Sequence, residues 1–277
     1  MKQGTATPFT ASKGKAHCKP TRPLIGSVIH VGDGPFEMQR QPPVVARVLR
    51  WPEPSEMEID LRPLEAAICA LDRKINRPYD SFGLELKVQY ALETASVEVM
   101  TRKPFYRLAQ EPIILSYWDR ISAFEFTATS SAQFSTLLNG SASPARSNVM
   151  AARGKAGERT IFEAHDQANN WIGDIHRIKA ISYPPLLESI IVFSRVVFAH
   201  PFKDGNGRLA RALFYTGLAR SAFVRSPCLA LGPGFDFHRE RLARATIQLS
   251  QSGNWPVYIN EVSSVVAFCV QEVASLL

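Results

Sequence analysis

Apolar residues recur at helical spacing through much of the chain. Leu186, Leu187, Ile190, Ile191, Val196 and Val197 follow Pro184-Pro185 and predict an apolar helix. Proline suits its first turn, and Glu188 suits the positive end of its dipole. Pro201 predicts where it stops, because the residue before a proline is pushed out of the helical region, so His200 falls where helix gives way to loop. Beyond the loop, Leu209, Ala212, Leu213 and Thr216 share one helical face while Arg208 and Arg211 share another. Helices are also predicted over Leu61 to Ile75, over Leu84 to Met100, and over Ile113 to Phe134 with an interruption at Thr127 to Ser131. A last apolar helix is predicted from Val262 to Leu277. Leu24 to Arg50 alternates Val and Ile with Gly and Pro, which predicts a short strand or two. Gly140 to Gly157, dense in Ser, Ala, Arg and Gly, reads as a mobile loop and a site for proteolytic nicking. No internal repeat or heptad pattern is visible.

Composition changes this picture at one end. The chain has 277 residues, 45% of them hydrophobic, enough for one large or two modest cores. Of its net charge of +7, +6 sits in the first 50 residues, where eight Lys or Arg face only Asp33 and Glu37. The basic character therefore belongs to an N-terminal arm, which argues against a nucleic-acid-binding core. Residues 1–23, with no acid and no apolar run, are expected to be a disordered basic tail without the apolar stretch of a secretory signal. No stretch approaches the 18 or so consecutive apolar residues of a membrane span. Cys18, Cys69, Cys228 and Cys269 lack metal-binding spacing and fit thiols in a reducing, cytoplasmic setting. His165, His176 and His238 likewise lack ligand spacing.

The chemistry concentrates in His200-Pro201-Phe202-Lys203-Asp204-Gly205-Asn206-Gly207-Arg208-Leu209-Ala210-Arg211. Gly205 and Gly207 allow successive backbone N–H groups to form a concave nest, and the helix that follows adds its unpaired N–H groups and partial positive charge. Phosphate is the natural guest. Arg208 and Arg211 can clamp further phosphate oxygens, and Asp204 is a hard oxygen ligand suited to Mg²⁺. His200 can take a proton from a hydroxyl at neutral pH. An ordinary helix-turn-helix could use any one of these residues, with Arg208 and Arg211 as a solvated face, but their joint occurrence points to attack by a protein hydroxyl on a nucleotide phosphorus.

That string resembles the signature of the Fic family, HxFx[DE]GNGRxxR, at every specified position. The resemblance implies a mainly α, helical-bundle fold with a small β-hairpin flap over the active site, and transfer of AMP from ATP to a Ser, Thr or Tyr hydroxyl of a target protein. It implies His200 as general base, Phe202 as a core anchor and Asp204 as the Mg²⁺ ligand. Gly205, Asn206, Gly207, Arg208 and Arg211 would hold the phosphates. Gln167 to Asp174 with Ser182 to Pro185 resembles the flap, which aligns a target segment by strand addition; a Trp-anchored surface loop is the alternative. Gln251 to Asn260 is similar to the closing aromatic element that precedes the final helix. Thr94-Ala95-Ser96-Val97-Glu98-Val99 resembles an N-terminal inhibitory motif, with Glu98 positioned to pair with Arg211, although Val99 stands where Gly or Asn is expected. Arg239 to Leu242 lacks the paired tyrosines of the family's base pocket, so the nucleobase stays open.

These readings divide the chain into a tail (1–23), an N-terminal helical region holding the candidate inhibitory helix (24–110) and a catalytic core (111–277). The expected partner is a protein presenting a hydroxyl to the flap, with self-association left open. Two alternatives stand beside adenylyl transfer: movement of UMP, phosphocholine or a single phosphoryl group by the same loop, and a non-enzymatic adaptor or regulator. An injected bacterial effector acting in a host cell is the alternative to a cytoplasmic enzyme.

Overall fold

The computed structural model describes residues 44–46, 52–53, 57, 59–75, 88, 111–146, 150–153, 159–162 and 170–277. All of them lie in the compact unit Gln41–Leu277. The architecture is mainly α, as the apolar periodicity requires. In chain order the elements are β1 (Val44–Ala46), α1 (Arg62–Lys74), α2 (Glu111–Ser116), α3 (Trp118–Ala123), α4 (Ala128–Asn139), β2 (Met150–Arg153), β3 (Arg159–Phe162), α5 (Trp171–Ala180), α6 (Pro185–Ala199), α7 (Asn206–Leu213), α8 (Tyr215–Arg220), α9 (Leu231–Phe237), α10 (Arg239–Ser252) and α11 (Trp255–Ser275).

Helix α6 is the axis of the bundle. Thirteen of its fifteen residues are buried, as expected of a helix apolar on nearly every face, and α5, α7, α8 and α11 pack around it. Its first turn is satisfied from outside. Glu65 of α1, itself buried, accepts the Leu186 N–H at 2.9 Å, and the fully buried Glu188 pairs with Arg220 of α8. A second buried pair, Asp174 of α5 with Arg195 of α6, ties the next helix in.

Boundaries follow local chemistry. The interruption expected at Thr127 to Ser131 is the start of α4: Thr127 accepts the Ser130 N–H at 3.1 Å, and Ser130 returns the bond to the Thr127 N–H at 2.8 Å. Helix α11 begins seven residues earlier than its apolar run suggests, because Asn254 caps it by accepting the Val257 N–H at 3.2 Å. Among the described residues it is the one helix with the length and hydropathy to cross a membrane, yet Trp255, Tyr258, Ile259, Val262, Val265 and Val266 bury one side of it in the bundle.

Two expectations are corrected. Of Gln167 to Asp174, the described residues Asn170 to Asp174 lead into α5 and not into a strand: Trp171, Ile175 and Ile178 recur at helical spacing and are buried. An antiparallel strand pair lies instead in the stretch read as loop. Strand β2 pairs antiparallel with β3, placing Ala151 opposite Ile161, and β1 adds to β3 in parallel with Val45 opposite Ile161, for a sheet order β1-β3-β2. Short strands with no clear polar alternation give no period to read, and here long-range pairing decides. Of Leu84 to Met100 only Val88 is described, and Glu98 lies outside the described residues.

Candidate active site

His200 ends α6 in the left-handed conformation, φ 45° and ψ 56°, with its N–H still bonded to the Val196 carbonyl at 3.0 Å. A residue with a side chain is strained there unless its surroundings hold it. Arg146 supplies that hold. Its buried guanidinium donates from Nε to the His200 carbonyl at 2.8 Å, and from its two terminal nitrogens to the carbonyls of Ala199 at 3.0 Å and Phe162 at 3.3 Å. The helix end, the loop start and strand β3 thus meet on one cation.

The loop that follows is braced from within and from the side. Phe202 is buried, and both of its backbone groups bond to the Asn206 side chain: the N–H donates to Oδ1 at 2.9 Å, and the carbonyl accepts from Nδ2 at 2.7 Å. Residues Ser143 to Arg146 run antiparallel to the loop. The Arg146 N–H donates to the Pro201 carbonyl at 2.9 Å, and the Lys203 N–H donates to that of Pro144 at 3.2 Å. The Ser143 hydroxyl accepts the Asp204 N–H at 3.0 Å and donates to the Asp204 carbonyl at 2.9 Å. Read as mobile from composition, this segment is instead pinned to the loop.

Gly205 opens α7 at φ 81°, and a Cβ there would come within 1.9 Å of the Asn139 amide at the end of α4. Both the torsion and the space require glycine. Asn139 is held in turn by the Ser135 hydroxyl at 3.2 Å and by Arg208.

The predicted site residues come together around this loop in distinct settings. The His200 ring is half-buried and stacks on Phe162, centroids 4.0 Å apart and planes 22° from parallel. Burial, then the nearby Arg146 charge, lowers its pKa from 6.5 to about 4, opposed by a backbone hydrogen bond at Val197 and by Asp204. The imidazole is therefore neutral at pH 7 and able to accept a proton. Asp204 is exposed, with one carboxylate oxygen accepting the Gly205 N–H at 2.7 Å. Gly207 is exposed, and Arg211 is half-buried one turn further along α7.

Two residues are committed elsewhere. The Asn206 amide serves Phe202, which leaves its backbone N–H at the start of α7. Arg208 is buried and donates to the Leu138 carbonyl at 3.3 Å and to Asn139, anchoring the C-terminal end of α4. Among the described residues no cluster of three or more His, Cys, Asp or Glu could hold a metal. A cation here would rest on Asp204 and on the oxygens of its ligand, which is the habit of Mg²⁺ with phosphates. Ser143, Arg146, Asn139 and Phe162 escaped sequence reading, since each sits in a segment or pattern with no distinguishing period.

A neutral histidine at a helix end, a left-handed glycine opening the next helix and an exposed carboxylate between them thus share one braced loop in a helical bundle. Residues 140–218, which contain the motif loop, match the family model of the Fic/DOC family. The fold is similar to that of a solved Fic family protein from Desulfovibrio desulfuricans G20, with a TM-score of 0.56 at 14% identity, covering 82% of this chain and 77% of that one. A Fic domain containing signaling protein from Bacteroides thetaiotaomicron VPI-5482 aligns with a TM-score of 0.48 at 15% identity, covering 78% and 97%. A comparison with curated protein sequences finds no match.

Proposed function

We propose that this Fic-type transferase is a protein adenylyltransferase, moving AMP from ATP to a Ser, Thr or Tyr hydroxyl of a target protein. The observation that carries the reading is a neutral His200 at the end of α6 held in the same braced loop as the left-handed Gly205 that opens α7. The nest and the N-terminal N–H groups of α7 suit phosphate oxygens, and Arg211 suits an oxygen further along the chain of phosphates. Asp204 would hold Mg²⁺, which supplies charge neutralisation on the phosphates when bound.

In the step itself, the target hydroxyl oxygen bonds to the α-phosphorus as the bond from that phosphorus to the bridging oxygen breaks. His200 takes the hydroxyl proton, and pyrophosphate leaves with the bridging electron pair. The role of the flap falls to the β2–β3 hairpin. Its inner end, Phe162, stacks on His200, and β2 lies at the edge of the described sheet, so an incoming target strand would pair along β2.

Incubation with α-labelled and γ-labelled ATP plus Mg²⁺ tests the reading. Protein-bound label from the α position, lost in His200→Ala, is the expected result. Label retained from the γ position instead would mean phosphoryl transfer, and label from neither, in the wild type and in Glu98→Gly alike, would leave the adaptor alternative.

A further inference from the structure

Segment Ser143–Arg146 runs antiparallel along the motif loop and braces both of its chemically important ends. At one end, a single hydroxyl, that of Ser143, satisfies both backbone polar groups of Asp204. Asp204 is otherwise an exposed loop residue whose carboxylate is turned onto its own Gly205 N–H. At the other end, the planar Arg146 fork gathers the Ala199 and His200 carbonyls together with that of Phe162, whose ring stacks on the imidazole. Carbonyls at a helix C-terminus lack intrahelical partners, and a cation is their natural complement. Here that complement also fixes a left-handed His200 and ties it to the hairpin. Between the two ends, two backbone bonds (Arg146 to Pro201, Lys203 to Pro144) set the spacing.

Resting on the transferase reading above, we propose that Ser143 and Arg146 are positioning residues of the active site, Ser143 fixing Asp204 and Arg146 fixing His200. Neither need touch the nucleotide. Displacing a reacting group by about 1 Å can cost on the order of a hundredfold in rate, so a two-ended clamp has a direct kinetic consequence.

The test uses the full chain with Ser143→Ala, Arg146→Lys and Arg146→Gln, read in two ways. Self-modification from α-labelled ATP is followed against Mg²⁺ and ATP concentration, and amide hydrogen exchange is followed at Lys203 and Asp204 against Ile190 and Val192 in α6. For Ser143→Ala we expect faster exchange at Asp204 with α6 unchanged, a roughly tenfold lower kcat and a higher Mg²⁺ requirement. For Arg146 we expect a kcat loss of about a hundredfold in the glutamine variant with little change in ATP KM, partly restored by lysine. Wild-type exchange at Asp204 together with wild-type Mg²⁺ dependence in Ser143→Ala overturns the proposal, as does equal activity of the lysine and glutamine variants. Should Arg146→Gln fail to fold, Ser143→Ala decides alone. If neither the wild-type protein nor its Glu98→Gly variant transfers anything from ATP, the transferase reading fails by itself and the exchange measurement still decides whether the clamp exists.

Discussion

At His200, backbone and ring are set by different neighbours. Arg146 and the Val196 carbonyl hold the left-handed backbone, while Phe162 covers the ring and strips water from it. A base with a pKa of about 4 is neutral at pH 7 but weak, and it gains strength when negative charge is brought close. We therefore expect the His200 ring to titrate near 4 in the free protein and to move upward when ATP or pyrophosphate binds, as followed by NMR of the ring protons. A midpoint at or above 6.5 in the free protein would refute the geometry. The same shift has a consequence for stability. Between about 4 and 6.5 the unfolded chain binds a proton at this position and the folded chain does not, so the contribution of His200 makes the fold less stable as pH falls through that window.

At the scale of elements, the site depends on how closely α8 lies on α6. A Cβ at Gly217 would stand 2.3 Å from the Pro185 carbonyl oxygen, 2.9 Å from the Ser189 hydroxyl and 3.0 Å from the Glu188 Cβ. The first of these is backbone and cannot swing aside. We expect Gly217→Ala to push α8 from α6, strain the buried Glu188–Arg220 pair and cost about 1–3 kcal/mol in denaturant unfolding, where an alanine on an exposed helical face would be stabilising. None of this close packing is legible in the order of residues, because Gly217 in a helical pattern reads only as a weak point. What is legible is periodic or local. The apolar spacing of α6, the stop at Pro201 and the helix start after Gly205 needed no tertiary information, and the structure places each of them where the sequence does. The Ser143–Arg146 segment was misread because its partners in the motif loop lie some sixty residues away, and the β2–β3 pair because its short strands carry no alternation to read. The interior commitments of Asn206 and Arg208 were hidden for the same reason: a motif names residue types, while burial decides which atoms remain for a ligand.

For the whole molecule, the remaining question is whether a group outside the motif loop controls access to it. The bracing contacts of the motif loop are made by the protein's own residues on α4, α6, α7 and the Ser143–Arg146 segment, and none of them blocks a ligand, so control by an occluding group is the arrangement to test. The sequence offers one occluding group. Glu98, in a stretch resembling the family's inhibitory motif, is a carboxylate that could form a bidentate bridge with Arg211, the motif arginine left half-buried on α7 while Arg208 is committed to α4. Arg211 so engaged would be withdrawn from the phosphates. We expect Glu98→Gly to raise self-modification from α-labelled ATP by about tenfold or more, since a charge-assisted bond worth roughly 1.5–3 kcal/mol would no longer oppose the nucleotide. Glu98→Gln, which keeps the shape but not the charge, should fall between the two. Unchanged activity in both variants would remove Glu98 from the account while leaving His200 and the nest untouched, because neither the loop's bracing nor the neutral imidazole draws on any residue in that stretch.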